Sequence, residues 1–293
     1  MNTRSAARNF VPHALLRLQR QERLAVIWFL APGLLFLLAF FFVPIGSFLS
    51  LGFLAPDLSL DHYRKAFSDP IYSRMLGLTL QTSFVTACTC ACLGYPVAYV
   101  LVHATPRWRL LIFALVLIPF WTNILVRMFA WLALLGRHGV INSNLMALGL
   151  TDTSLPLLYT NFTVVLGMTH FLLPYMILAC YAVMSNIPSA LVDAASNLGA
   201  SPRRAFWRVY FPLSLPGLAA GFLLVFIISL GFFVTPALLG PQNQKLLAQV
   251  IEIEVSDTLN WGFAAALSGI LVALTVSLYA LYDRLIGADR IYE

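Results

Sequence analysis

The sequence predicts an all-α membrane protein with six transmembrane helices, and three observations carry that expectation. Hydrophobic residues make up 60% of the 293-residue chain and charged residues only 10%, a balance foreign to water-soluble domains. Six stretches run for roughly twenty residues or more with no charge, or in one case a single arginine, the length a helix needs to cross ~30 Å of hydrocarbon. Leucine and alanine dominate them without period-2 alternation, so they read as helices and not as strands of a barrel.

Taken in order, residues 1–23 form an N-terminal tail, 24–282 a transmembrane domain and 283–293 a C-terminal tail. Within the first tail, ALLRLQRQERL sets leucines against arginines at helical spacing, as in a short helix lying along a membrane interface; a solvated tail is the alternative. The first span is placed at 24–50. It is too long for a secretory h-region and no A-x-A follows it, so it is read as a retained helix and not a cleaved signal. The remaining spans are placed at 78–102, 110–135, 160–184, 215–239 and 261–282.

Orientation follows from the basic residues, which cytoplasmic loops retain in excess. An even number of spans puts both termini on one side, and that side collects twelve of the 18 basic residues, among them Arg107, Arg109, Arg203 and Arg204. Both termini are therefore expected in the cytoplasm. The net charge of +6 reflects this topology, and no basic patch interleaved with aromatics points to nucleic acid.

Cys88, Cys90 and Cys92 in the second span invite a metal reading. On a helix, however, Cys90 points away from the other two and no histidine or second cysteine pair completes a tetrahedral set, so helix packing is expected and no metal. Catalysis by the chain is not expected either: it carries no G-x-x-x-x-G-K-[ST], H-E-x-x-H or G-x-S-x-G, and its spans contain no Asp or Glu.

Between the fourth and fifth spans, residues 186–212 predict two short helices with a glycine corner. Pro188 can open the first and Gly199 can close it at positive φ, while Ser201 and Pro202 offer an N-cap and first-turn proline for the second, which is expected to stop near Pro212 and Pro216. Asp193, Ala194, Ala195 and Gly199, followed by Val209, Phe211 and Pro212, resemble the EAA loop of ABC importer permeases, whose pattern is E-A-A, three residues, G, nine residues, I, one residue, L-P. Asp stands here for Glu, Val for Ile and Phe for Leu. The segments at 118–142 and 231–255 extend the resemblance, which is closest to the spermidine/putrescine type of permease.

That resemblance implies a type I ABC importer permease fold in the bacterial inner membrane. It also implies that Asp193, Ala194, Ala195, Gly199, Arg203 and Arg204 couple the chain to an ATPase. The implied partners are a second homologous permease, two ATPase subunits carrying ATP and Mg, and a periplasmic binding protein, with no cofactor in this chain. The implied cargo is a small organic cation such as putrescine or spermidine. Aminoethylphosphonate, iron(III), sulfate and molybdate importers share the architecture, and a channel or secondary transporter is a further alternative with no need of an EAA loop.

The spans hold several candidates for the substrate path. Trp121, Tyr175, Phe232 and Phe233 offer aromatic faces to a cation, with structural packing the commoner role for any single one of them. Asn123, Arg127 and Trp131 recur every four residues as a polar stripe, and the arginine could snorkel outward, pair with Asp257 or another acid, gate, or touch substrate. Thr163, Gly167, His170 and Pro174 share a face of the fourth span that reads as an inner lining. Glu252, Glu254 and Asp257 form an outer acidic cluster that could meet a binding protein, draw in a cation, or be merely solvated.

Overall fold

The computed structural model describes residues 28–54 and 58–286, so the tail read as an interfacial helix at 1–23 and most of the tail at 283–293 lie outside the described residues. Helix α1 (Trp28–Leu54) is followed by α2 (Asp61–Ser68), α3 (Pro70–His103), α4 (Pro106–Trp121), α5 (Ile124–Leu135), α6 (Val140–Ala147) and α7 (Asn161–Met184). Then come α8 (Ser189–Asn197), α9 (Pro202–Leu230), α10 (Val234–Leu239), α11 (Leu247–Ser256) and α12 (Trp261–Ile286).

The centre of the fold is the triplet α3, α7 and α9. Interfaces inside a bilayer gain little from hydrophobicity, so close backbone approach has to supply the attraction, and small residues permit it. Gly94 on α3 and Gly221 on α9 both abut Met176 of α7, where an added Cβ would come within 2.8 Å of that side chain. Gly217 lies against Val183 in the same way. Cys90 and Cys180 are buried in this core as free thiols, as the packing reading requires, while Cys92 faces outward. Helix α1 stands at the periphery, its phenylalanines exposed apart from Phe48, and closes on α12 through Gly52, whose Cβ would meet the Ala266 backbone at 3.0 Å.

Three predicted spans need correction. The apolar stretch at 110–135 is not one helix: α4 ends at Trp121, Thr122 and Asn123 leave helical geometry, and the Asn123 side chain accepts the Leu125 N–H at 2.8 Å to start α5 afresh. The stretch at 215–239 also breaks, because α9 stops at Leu230 and the chain turns through Gly231 and Phe232 before α10. Helix α10 then packs back on α5 and α7, and α11 on α3 and α12. The second span begins earlier than the reading at 78–102, since Asp69 caps Ile71 and Pro70 occupies the first turn of a 34-residue helix.

A fourth correction concerns the segment after the glycine corner. No separate short helix ends at Pro212; instead α9 runs from Pro202 into the membrane through a π turn at Phe206–Tyr210. Proline has no N–H and its ring crowds the carbonyl four residues back, so an ordinary α-helix kinks there. At the π turn the Phe211 N–H bonds to the Phe206 oxygen, and the widened turn admits Pro212. The same device recurs in α1, where the Val43 N–H bonds to the Leu38 oxygen immediately before Pro44.

Candidate functional site

At one end of the bundle α8 and the start of α9 form an exposed corner. The Gly199 N–H donates to the Ser196 oxygen at 2.9 Å and the Ala200 N–H to the Ala195 oxygen at 3.0 Å, a Schellman arrangement with Gly199 in the left-handed residue position at φ +83°. Pro188 and Ser201 stand at the N-caps of α8 and α9 as the sequence suggested, although neither side chain makes a capping bond. Asp193, Ala194, Gly199, Arg203 and Arg204 are exposed, and Ala195 is half-buried. Behind the corner lies a cleft of about 450 Å³ whose walls include Tyr99, His103, Asp193, Phe206 and Tyr210. Its aromatic rings pack edge to face, Tyr99 against Phe206 at 5.5 Å and against Tyr210 at 5.2 Å, which fixes the corner on the ends of α3 and α9.

Farther along the bundle, the break at Thr122 gathers several of the candidates. Arg127 is 7% exposed; its Nη2 donates to the Thr122 carbonyl at 3.1 Å, its guanidinium carbon lies 4.7 Å from the Phe171 ring centroid, and its Nε has no partner. Among the described residues no carboxylate pairs with it. The expected pairing with Asp257 is therefore corrected: the carbonyl freed by the helix break and an aromatic face take the place of an acid. Phe171 in turn contacts Phe232 at 5.2 Å and Tyr175 at 6.3 Å, and Tyr175 contacts Phe120 at 5.3 Å.

Trp131, one turn beyond Arg127, donates its Nε1–H to His170 Nδ1 at 3.1 Å. Indole can only donate, so Nδ1 accepts and the imidazole carries its proton on Nε2. The structure thus joins Arg127, Trp131, His170, Tyr175 and Phe232 in one cluster between α5 and α7. It leaves Asn123 outside, exposed and occupied as a helix cap, and leaves Trp121 and Phe233 exposed at 88% and 36%.

The proposed inner face of α7 is also corrected. Thr163 donates to the Leu239 carbonyl at 2.9 Å, and a Cβ on Gly167 would lie 2.6 Å from Thr235, because α10 covers this face. Only His170 of that set stays half open. The residues that sequence reasoning missed are Phe171, Phe120 and Thr122. Phe171 had a signal, lying four residues before Tyr175 on the same helical face.

At the other end of the bundle, Glu252 and Glu254 lie on α11 and Asp257 at its C-cap. Glu252 and Asp257 are exposed, whereas Glu254 accepts a hydrogen bond from Thr258 Oγ1 at 2.8 Å.

A family model described as binding-protein-dependent transport system inner membrane component matches residues 91–287. The spermidine/putrescine transport system permease protein PotB of Haemophilus influenzae is 33% identical over 265 residues, covering 89% of this chain and 91% of that protein. The protein of the same description from Escherichia coli is 32% identical over 248 residues, covering 82% and 89%. Among solved structures, one chain of a bacterial alginate ABC transporter in complex with an alginate pentasaccharide-bound periplasmic protein matches with a TM-score of 0.69 over 92% of this chain and 96% of its own, at 16% identity, a likeness of fold alone.

Proposed function

Because the chain belongs to the family of binding-protein-dependent transport system inner membrane components, we propose that it forms half of the translocation path of an ATP-driven importer for a polyamine-type cation. The observation that carries the substrate class is 33% identity to a spermidine/putrescine permease across 89% of the chain, which spans both the coupling corner and the aromatic cluster. A second homologous permease completes the path, two ATPase subunits supply ATP hydrolysis with Mg, and a periplasmic binding protein delivers the cargo. ATP and Mg belong to the ATPases, and no cofactor is expected in this chain.

In this reading the exposed α8–α9 corner sits in a cleft of the ATPase on the cytoplasmic side, with Asp193, Arg203 and Arg204 at the contact. Both termini share that side, in keeping with the basic residues gathered there. The opposite end, with Glu252, Glu254 and Asp257, faces the binding protein. Arg127 already occupies the face of Phe171 as an internal cation, so an incoming ammonium is met by other rings; the exposed Trp121 and Phe233 are the available ones.

The test is the ATPase activity of the reconstituted complex with its binding protein, comparing putrescine and spermidine with aminoethylphosphonate, sulfate, molybdate and ferric iron at matched concentrations. Stimulation by polyamines alone is expected. Stimulation by an oxyanion would retire the cation reading and place Arg127, the buried cation at the helix break, on the substrate path.

A further inference from the structure

Two cavities on the outside of the bundle, at the end opposite the coupling corner, share a wall. One, of about 610 Å³, lies among the first turns of α3, the start of α7 and the loop before α11. Among the described residues its polar lining is Arg74, Gln81, Asn161, Asn243, Gln244 and Lys245, none of them acidic. The second, of about 430 Å³, is a groove between α3 and α7 whose lining is apolar but for a few hydroxyls and amides. Leu78, Gln81 and Asn161 line both, so the polar chamber opens directly into the apolar groove.

The chamber is held together by specific bonds between the three elements. The Leu247 N–H donates to Thr79 Oγ1 at 2.9 Å, tying the loop to α3, and Asn161 Nδ2 donates to Gln244 Oε1 at 3.1 Å, tying it to α7. Among the described residues neither Arg74 nor Lys245 makes an ion pair. Glu252 borders the neighbouring cavity that Lys245 also touches, so Arg74 is the less compensated of the two charges.

We infer that this paired cavity binds an anionic phospholipid, its phosphate between Arg74 and Lys245 and one acyl chain in the α3–α7 groove. Charge and shape both select that occupant. Two unpaired cations with amide donors suit a phosphodiester, and a zwitterionic head would bring an ammonium toward the same two cations. The groove then runs from Leu78 to Leu93, about 22 Å along the helix axis, and a single leaflet offers an acyl chain about 15 Å of hydrocarbon depth. Val85, Leu93, Phe162 and Leu166 supply its apolar walls. The lipid would join α3 to α7 and to the loop that carries α11. The inference needs only that the chain spans a membrane, and it stands apart from the identity of the cargo.

The experiment uses the purified importer complex, delipidated and supplied with phosphatidylglycerol or phosphatidylethanolamine, with lipid retention read by native mass spectrometry and thermal melting followed in parallel. Phosphatidylglycerol alone is expected to be retained and to raise the melting temperature. The Arg74→Gln/Lys245→Gln variant should retain it at least about tenfold more weakly, the scale set by losing charge-assisted hydrogen bonds to a phosphate. Arg74→Lys should keep most of the retention, and Val85→Trp, which fills the groove and leaves the charges, should lose it. Equal retention by the doubly neutralised variant overturns the inference. So does full protection by glycerophosphate, which would mean a headgroup site without a chain, and so does release of the second permease subunit by Val85→Trp, which would assign the groove to the subunit interface.

Discussion

The coupling corner offers the sharpest test, because its structure separates backbone conformation from side-chain bulk. Gly199 holds φ +83°, and a Cβ built there would meet no atom within 4 Å. A substitution is therefore not excluded by space within this chain; its cost is that of placing an L-residue in the left-handed region, about 1–2 kcal/mol for an ordinary residue. Asparagine visits that region readily and pays less. The corner in Gly199→Ala should thus be populated about tenfold less than in the wild type, since 1.4 kcal/mol is a factor of ten, while Gly199→Asn should stay close to it. Substrate-stimulated ATPase activity of the reconstituted complex is the readout, with the melting temperature as a check on folding. The expected order is glycine, then asparagine, then alanine. If the larger asparagine is worse than alanine, crowding against a partner controls the position and the conformational argument is wrong. If all three are equal, the corner does not govern coupling.

Other sites give independent predictions. Arg127→Met removes the buried charge together with its unpartnered Nε, so the melting temperature should shift by the equivalent of less than about 1.5 kcal/mol, whereas Arg127→Ala should lower it by more because a cavity remains beneath Phe171. Gly217→Ala places a Cβ 2.8 Å from Val183 Cβ and 3.2 Å from the Ala179 carbonyl, and overpacking of about 1–3 kcal/mol should reduce the yield of assembled complex; Gly33→Ala, with nothing within 4 Å, should be harmless. Asn142 is fully buried and bonds the Gly136 oxygen, the Leu155 oxygen and the Leu155 N–H. Asn142→Leu should cost about 3 kcal/mol or more by orphaning those groups, and limited proteolysis within 148–158 should detect the loosened loop.

Where the chain has an unbroken apolar helix, as in α7 and α12, composition placed the span to within a few residues. The errors share one cause. Hydropathy reports the cost of transfer into lipid and is silent on whether the backbone stays helical, so Phe232 and Phe233 extended the fifth span on paper past the turn that ends it. The local clues were present in Asn123 before an apolar run and in Gly231, but either residue also occurs inside helices. The glycine corner was legible because positive φ is a single-residue property. The seat of Arg127 was not, because it depends on how α5 lies against α7, and no spacing within one helix encodes that contact.

The continuity of α9 changes how the corner can act. A helix that ended at Pro212 would leave a joint between the corner and the membrane, and a displacement at Gly199 would be absorbed there. The π turn at Phe206–Tyr210 admits Pro212 without ending the helix, so helical backbone, with Pro216 also inside it, runs from Pro202 to Leu230 and α9 serves as the lever between corner and membrane segment. The lever bears on α7 where Gly217 meets Val183 and Gly221 meets Met176, contacts too close for sliding without displacement of α7 itself. Helix α7 also carries His170 and Phe171, the groups on which Trp131 and Arg127 rest. The end of the bundle with exposed basic residues is thus joined, through the close glycine contacts and the shared apolar core of α9 and α7, to the buried arginine cluster at the break between α4 and α5.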